Sequence, residues 1–547
     1  MTTGTLARQR PDRRVPQAHF TDIIRAEWIK FRSVRGWVIG MIVAAILTIF
    51  VGVFAAGAAN IGCIINGVQK SGRDCLPSIP IGPGGEAAQD TFYFVHQPLA
   101  ANGTITARLS SFTGIYAANN GPVQAGGPGP NMKPGLMPWS KAGIMIKASL
   151  KQGSAYAAML ATGRHGIRMQ WNYTGDTAGL PGALSAANQR WLRLARSGGT
   201  ITGYDSADGT HWTEIGTAQL TGLPATVQVG MFATSPNYVQ TSRSFGGSSN
   251  QSGPSQATGV FDDVSVSGGA AGHPWTGTAV GGGGPFGAAN AAGSGATGAG
   301  AGPRQRAGTF TLTGSGDIAP VVPGPGGGGY PTTTVEQSLA GVFIGLIVVV
   351  LVAAMFFTTE YRRGLIRTTL AATPRRGPVL AAKAVVIGSV AFVAGLAASI
   401  IAIELGVPRR EAQGQFLLPV PVITDVRVVL GTAALVAVAA VFAVAVGAIM
   451  RRSAAAITTV VVVIVLPFLL AALNVFPPGI SAWLLRLTPA AGFAIQQSIP
   501  RYPQVVSSYS PAGGYYPLPP WGGFAVLCAY VAAALGLAFV LLRRRDA

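Results

Sequence analysis

The sequence predicts a polytopic α-helical membrane protein of six spans, with a large extracellular all-β sandwich inserted between the first and second. Three observations predict it. Six apolar runs approach or exceed the roughly 20 residues a helix needs to cross about 30 Å of hydrocarbon. A long polar, glycine-rich stretch separates the first run from the other five. Basic residues gather in alternate connections.

The runs are Gly36–Ala58, Ser338–Thr358, Ala384–Ile403, Val428–Met450, Ser453–Leu473 and Trp521–Leu542. With 547 residues, 49% of them hydrophobic and 11% charged, the composition argues against a soluble multidomain chain. The net charge of +20 raises the question of nucleic acid, but its distribution excludes that partner. Arg8, Arg10, Arg13, Arg14, Arg25, Lys30, Arg32 and Arg35 precede the first span. Arg362, Arg363, Arg367, Arg375, Arg376 and Lys383 lie between the second and third, Arg451 and Arg452 between the fourth and fifth, and Arg543–Arg545 close the chain. Cytoplasmic loops carry such an excess, so both termini are predicted cytoplasmic and residues 60–335 extracellular, in a plasma membrane.

Residues 1–35 hold a basic tail and an amphipathic interfacial helix. In HFTDIIRAEWIKFRSVRGW, Phe20, Ile23, Ile24, Trp28 and Phe31 recur at helical spacing, with Asp22, Arg25, Lys30 and Arg32 opposite. Residues 36–58 are the first span, too long and too late in the chain for a cleaved signal. Residues 59–89 form an external linker. Its Cys63 and Cys75 lie in a compartment that permits a disulfide, the alternative being two free thiols. Cys528 reads as a small packing residue of the last span.

Residues 90–267 alternate as half-buried strands do. In SKAGIMIKAS, Ile144 and Ile146 oppose Met145 and Lys147; in TVQVGMFA, Val227, Val229 and Met231 oppose Gln228, Gly230 and Phe232. TITGYDSADGTHWTEIG reads as a hairpin turning at Asp208-Gly209. About ten strands with no long helix between them predict an antiparallel sandwich. Residues 268–306 are a Gly/Ala-rich linker whose GxGxxG (Gly293, Gly295, Gly298) follows no strand and carries no dinucleotide site. Residues 307–335 regain strand character, as a hairpin docking back on the sandwich. Residues 336–547 complete the membrane domain.

Trp139, Trp171, Trp191, Tyr204 and Trp212, with Asp205 and Asp208, offer the side chains from which sugar sites are built; the competing reading is core and cross-strand packing. The candidate glycan contacts are Trp171, Tyr204, Asp205, Asp208 and Trp212. Asp262-Asp263 offers oxygens to calcium, against the simpler reading of a solvated strand end. No carboxylate pair suits glycoside hydrolysis.

No span interior contains a charge or a histidine; Glu404 and Arg427 sit at span ends. Ion-coupled transporters keep ionisable groups there, so no relay is expected. GxxxxGK[ST] is absent as well, so the chain is read as non-catalytic, with no cofactor of its own.

WSKAGIMIKAS, GIRMQW, RWLRLARSGGTITGYDSADGTHWTEIG and VFDDVSVSG together resemble concanavalin A-like (laminin-G-like) jelly-roll modules of bacterial surface proteins. AEWIKFRSVRGW before a span, with the later FTTEYRRGLIRTTLAATPRRGPVLAAK, resembles permease subunits of type-two ABC exporters. That second resemblance covers the first 60 residues and residues 335–547. It implies a dimeric permease, homo- or heterodimeric, that works with a separate ABC ATPase holding ATP and Mg. It also implies a cytoplasmic coupling helix, where Glu360, Tyr361, Arg362, Arg363, Gly364, Arg367 and Thr368 would contact the ATPase rather than only lipid headgroups. SAWLLRLTPAAGFAIQQSI fits the short helices between the last two spans. The competing function is a membrane-anchored glycan-recognition or sensor protein without transport.

Overall fold

The computed structural model describes residues 19–544 apart from 59, 101, 118–131, 181–183, 185–187, 245–246, 269–272, 283–303, 307, 325–329, 363–375 and 508. Eight α-helices are described: α1 (Phe20–Ser33), α2 (Arg35–Ala58), α3 (Val342–Arg362), α4 (Arg376–Ala412), α5 (Val422–Met450), α6 (Ser453–Ala472), α7 (Pro478–Leu487) and α8 (Pro520–Arg544). Six of them, all but α1 and α7, are long and apolar enough to cross a membrane. Their packing puts Arg35, Arg451 and Arg543 at what we call the basic end of the bundle, opposite the β-rich region.

The helix α4 overruns its apolar run at both ends. At about 1.5 Å per residue, its 37 residues make a rod of roughly 55 Å. It begins among Arg376 and Lys383, and at its far end Pro408 stands inside the helix before Arg409 and Arg410. Small residues let the helices approach closely. Ser338 backbone oxygen lies where a side chain at Gly52 would stand, and the Thr48 backbone likewise excludes one at Gly341. Gly40 is similarly closed off by Val352. The space between α2, α3, α4 and α5, lined by Thr48, Gly345, Ser399 and Thr432, amounts to about 10 Å3. That is about the space of a single water, so these four helices are closely packed there.

The β-rich region has two large sheets. One is seven-stranded, in the order Gly175–Ala178, Ile167–Trp171, Tyr156–Thr162, Lys141–Lys147, Val227–Thr234, Phe92–Leu99 and Thr276–Val280. The other, eight-stranded, runs Thr213–Gln219, Thr200–Ser206, Arg190–Ser197, Asn102–Ala117, Ser255–Gly268, Thr309–Gly314 and Arg304–Arg306, with Met132–Pro134 beside Asn102–Ala117. The pairings within both sheets are antiparallel. Ile144, Ile146, Val227, Val229 and Met231 from the first sheet meet Ile105, Leu192, Leu194 and Ile201 from the second in one core.

The alternation Ile144/Ile146 against Met145 holds, but these strands are not half-buried. Met145 and Phe232, on the other face, form a second core with Phe92, Phe94, Tyr156, Tyr173 and Ile318. The outer face is covered by chain from distant sequence, which strand periodicity does not register. Lys147, on the same face, is fully buried. Its Nζ lies 2.7 Å from Asp90 Oδ2, which also accepts from Tyr173 Oη (2.8 Å) and Gly153 N–H (2.9 Å).

Three boundaries differ from expectation. Thr276–Val280, inside the segment read as linker, pairs with Phe92–Leu99 at a sheet edge. The described part of residues 307–320 does not pair with itself as a hairpin: Thr309–Gly314 joins the second sheet, whereas Ile318–Pro320 pairs with Ala88–Asp90. The turn in TITGYDSADGTHWTEIG is longer than two residues, and only Gly209 there takes a positive φ, +77°. Asp208 Oδ1 instead accepts from the backbone N–H groups of Thr210 and His211, each at 2.8 Å.

Sandwich and bundle are joined by chain rather than by a bare linker. Thr332–Thr333 pairs in parallel with Phe416–Leu417, and Gln504 Nε2 donates to the Tyr173 carbonyl at 3.1 Å. Ile79, Ala319, Val321 and Val322 share a core with Leu418, Ile499, Val505 and Tyr515. Cys63 and Cys75 are disulfide-bonded, with Cα atoms 5.6 Å apart, and Ile61 N–H donates to the Gln413 carbonyl just beyond α4.

Removing one partner of a buried ion pair costs about 3–5 kcal/mol, because the other charge stays buried. Asp90→Ala should therefore lower sandwich stability by that order, measured by denaturation of the full chain in detergent. Asp90→Leu with Lys147→Met should recover much of the loss.

Candidate functional site

The chemistry of the basic end starts on α1. Its carboxylate Asp22 accepts from the His19 backbone N–H at 3.0 Å, which holds the first turn. The buried stripe is Ile23, Glu27 and Phe31, spaced by four residues so that they stack on one face. Ile23 and the partly buried Ile24 pack on Val379 and Ala382 of α4. Phe31 meets Phe356 edge-on at 5.9 Å. Phe20 and Trp28, of the apolar face expected to lie along a membrane interface, are exposed. Tertiary packing has chosen a narrower stripe, and it contains an acid.

Glu27 belongs to a four-charge cluster. Lys383 Nζ lies 2.7 Å from Glu27 Oε2 and 2.7 Å from Glu360 Oε1. Lys30 Nζ lies 2.7 Å from Glu27 Oε1 and 3.3 Å from Glu360 Oε1. Lys383 is fully buried, Glu27 nearly so, and the Phe356 ring lies 4.7 Å beneath the ammonium. Burial pulls the Lys30 ammonium downward, but Glu27 and Glu360 together outweigh that and raise its pKa. Two acids and two bases thus neutralise one another among apolar walls, joining α1, the last turns of α3 and the first of α4.

Glu360 is therefore turned into the molecule. Its side chain is held by Lys383 and Lys30, where the sequence reading had it meeting an outside partner. Tyr361 also packs inward, against Phe357 (5.6 Å) and under Arg451 (5.1 Å). Arg362 ends α3, and Arg363, Gly364, Arg367 and Thr368 lie outside the described residues. Sequence reasoning missed Glu27 and Lys383. Lys383 was counted with the loop; the helical continuation from Arg376 into the apolar run was the available signal.

In the sandwich, the aromatics are faced by guanidinium groups or packed. Arg193 lies 3.7 Å over Trp212, Arg108 5.6 Å over Trp191, and Trp139 stacks on His165 at 4.0 Å. Trp171 packs toward the core and over Gly175. Tyr204 sits opposite Arg193 in the sheet. Asp205 is fully buried on Arg190, Nε to Oδ1 being 3.0 Å, which withdraws it from any surface contact. Exposed Asp208 bonds His211 Nδ1 at 2.6 Å; this contact holds the carboxyl far below its usual range and raises the imidazole. Asp262 and Asp263, weighed as calcium oxygens or a solvated strand end, both face Arg108, at 3.7 and 3.1 Å. Among the described residues, no group of three or more His, Cys, Asp or Glu is placed to hold a metal.

At the sandwich end of the bundle, Glu336 precedes α3 and is buried. Burial pushes its carboxyl up to about 7, although the Ser498 and Thr334 hydroxyls beside it oppose the shift. Arg427, Tyr515 and Tyr516 face it as well.

Residues 177–547 match the family described as ABC-2 family transporter protein. The chain belongs to the ABC-2 transporter family. Membership makes it a multi-pass membrane protein with a transport permease role, and implies an ABC ATPase partner. No curated protein matches it in sequence. Among solved structures, it is similar to a functionally unknown protein from Saccharomyces cerevisiae at 12% identity, covering 38% of this chain and 86% of that one with a TM-score of 0.19. It is also similar to scytalido-glutamic peptidase with a transition state analog inhibitor, at 10% identity, 33% and 82% coverage and a TM-score of 0.21. Similarity at that level carries no argument about this ABC-2 chain.

Lys383→Met leaves the two buried carboxylates Glu27 and Glu360 with the single, part-exposed cation Lys30 between them, a loss of up to about 3–5 kcal/mol; Lys383→Arg should lose much less. Protease cleavage within α1 of the full chain measures it, and should rise steeply only for Lys383→Met. Glu336 gives a pH signature. The native state keeps its proton up to about pH 7, whereas the unfolded chain releases it near 4.5. Its stabilisation, about 3 kcal/mol, is present below pH 4.5 and lost as pH rises through 7. Glu336→Gln should flatten thermal stability between pH 5 and 8.

Proposed function

We propose that this chain is the permease subunit of an ATP-driven exporter, carrying no catalysis of its own. The observation that carries this reading is the Glu27–Lys30–Glu360–Lys383 cluster at the two ends of the connection 363–375. A separate ATPase, closing on ATP, would press on that connection at the cytoplasmic face. The cluster makes α1 and the facing ends of α3 and α4 respond together, because separating them leaves buried charges alone. A bare apolar bundle has no such directional link.

The close packing among α2, α3, α4 and α5 bears on where a substrate would pass. A path at the interface of a permease dimer fits it better than one through a single subunit. The exposed apolar ridge of α2, Ile39, Ile42, Ile46, Phe50 and Phe54, is the surface offered to a second subunit or to lipid. The basic residues at one end support a cytoplasmic side there by the positive-inside rule, with the sandwich proposed to lie outside.

The sandwich, a jelly-roll-like module, is proposed as a structural cap fixed to the permease. Its aromatics are paired with arginine or packed, and its base shares a core with the external segments of the bundle. Surface glycan recognition without transport is the weaker reading.

The test is reconstitution with the partner ATPase. Arg363→Ala and Glu360→Ala should each lower permease-dependent ATP turnover at least fivefold while the complex still assembles. Full turnover in both variants would remove the coupling role.

A further inference from the structure

At the sandwich end of the bundle, a cavity of about 430 Å3 opens between the start of α3, the end of α4, the end of α6 and the segment before α8. That volume falls among small-molecule sites, which run from about 300 to 1,000 Å3. Its walls are mainly apolar: Phe343, Phe468, Leu469 and Leu473 stand among them, and Leu473 is 55% exposed at the rim. Two charged residues line the same space, Glu336, 8% exposed, and Arg410, 6% exposed.

These two charges are incompletely satisfied. Glu336 Oε1 accepts one long bond, 3.4 Å, from the Ser498 backbone N–H; beside the carboxyl stand only the neutral hydroxyls of Ser498 and Thr334, neither in good hydrogen-bond geometry, and among the described residues no cation forms an ion pair with it. Arg410 directs Nη2 to the Gln337 carbonyl (2.8 Å) and Nη1 to Gln415 Oε1 (3.2 Å), away from any carboxylate; its Nε has no partner. Buried polar atoms are normally bonded, and those that are not call for a reason. An acid and a base that share an apolar pocket without pairing leave room for a ligand that carries the opposite two charges.

We propose that this cavity binds a zwitterionic amphiphile, with its ammonium on the Glu336 carboxylate, its anionic group at Arg410 and its tail among Phe343, Phe468 and Leu469. A hydrogen-bonding ammonium supplies the counter-charge that the Glu336 carboxylate lacks, and an acceptor anion does the same for the Arg410 guanidinium. The burial that pushes the Glu336 carboxyl up to about 7 fits this role: a bound ammonium would stabilise its ionised form. The tail lies where the cavity opens at Leu473. Such a ligand comes either from an aminophospholipid of the bilayer or from a free amphiphile of the same charge pattern.

The test uses the full chain in phosphatidylcholine nanodiscs. In one arm the discs contain equal minor fractions of phosphatidylethanolamine and phosphatidylglycerol, and retained lipid is counted by native mass spectrometry. In the other, discs without either lipid are titrated with dodecylphosphoethanolamine. Phosphatidylethanolamine retained at least fivefold above its share of the bilayer, or saturable uptake of the soluble probe, supports the site, and the responding arm names the source. Glu336→Gln and Arg410→Gln should each abolish that selectivity. Leu469→Trp, which fills the cavity and leaves both charges in place, should lower occupancy at least tenfold even if the charge variants fail to fold. Retained lipid that mirrors the bilayer together with no saturable uptake overturns the proposal. Selectivity unchanged in all three variants does the same. No ATPase is needed, so failure here leaves the coupling role standing, and the reverse holds too.

Discussion

A lysine ammonium with no solvent contact, at the edge of an apolar helix bundle, is tolerable only while carboxylates hold it. Lys383 has two, Glu27 and Glu360, and Lys30 completes the balance. Apolar packing between the spans is non-directional, and small residues let helices slide as readily as they let them approach. The ionic cluster is directional. It fixes which turn of α1 faces which turn of α4, and with that the separation of the two ends from which the connection 363–375 departs.

What is fixed at the basic end is carried to the other end by α4. This helix is one rod of roughly 55 Å, with Lys383 near its start and Arg410 near its finish. The finish meets the disulfide-bonded hairpin through Gln413 and the return strand through Phe416 and Leu417. There the sandwich shares a core with the bundle. A displacement applied near Lys383 therefore has a continuous helical route toward the cavity at Arg410 and the base of the sandwich. The Pro408 inside α4 stands just before that point, where a helix loses a backbone hydrogen bond and bends most easily.

The six spans were legible because run length alone separates a crossing helix from other apolar segments. The inner core of the sandwich was legible because side chains alternate along strands: Ile144 and Ile146 face inward as their spacing says. The outer core was not, since it takes Phe92, Tyr173 and Ile318 from far apart in sequence, and no local pattern records that. Thr276–Val280 escaped notice because its glycine-rich surroundings mask a short edge strand. At the basic end the error was of one kind. Charges on α1 and before the third span were assigned outward, to water, headgroups or, for Glu360, the ATPase. Glu27 and Lys383 are buried because they meet each other, with Glu360 and Lys30 beside them, a fact of tertiary contact between residues hundreds of positions apart.

The direct test of the cluster as a single link is a double-mutant cycle on ATP turnover by the reconstituted complex, with Glu27→Gln, Lys383→Met and both together. If the two residues act through one shared contact, the double variant loses no more turnover than the worse single. Losses that multiply would show two independent contributions and contradict the account.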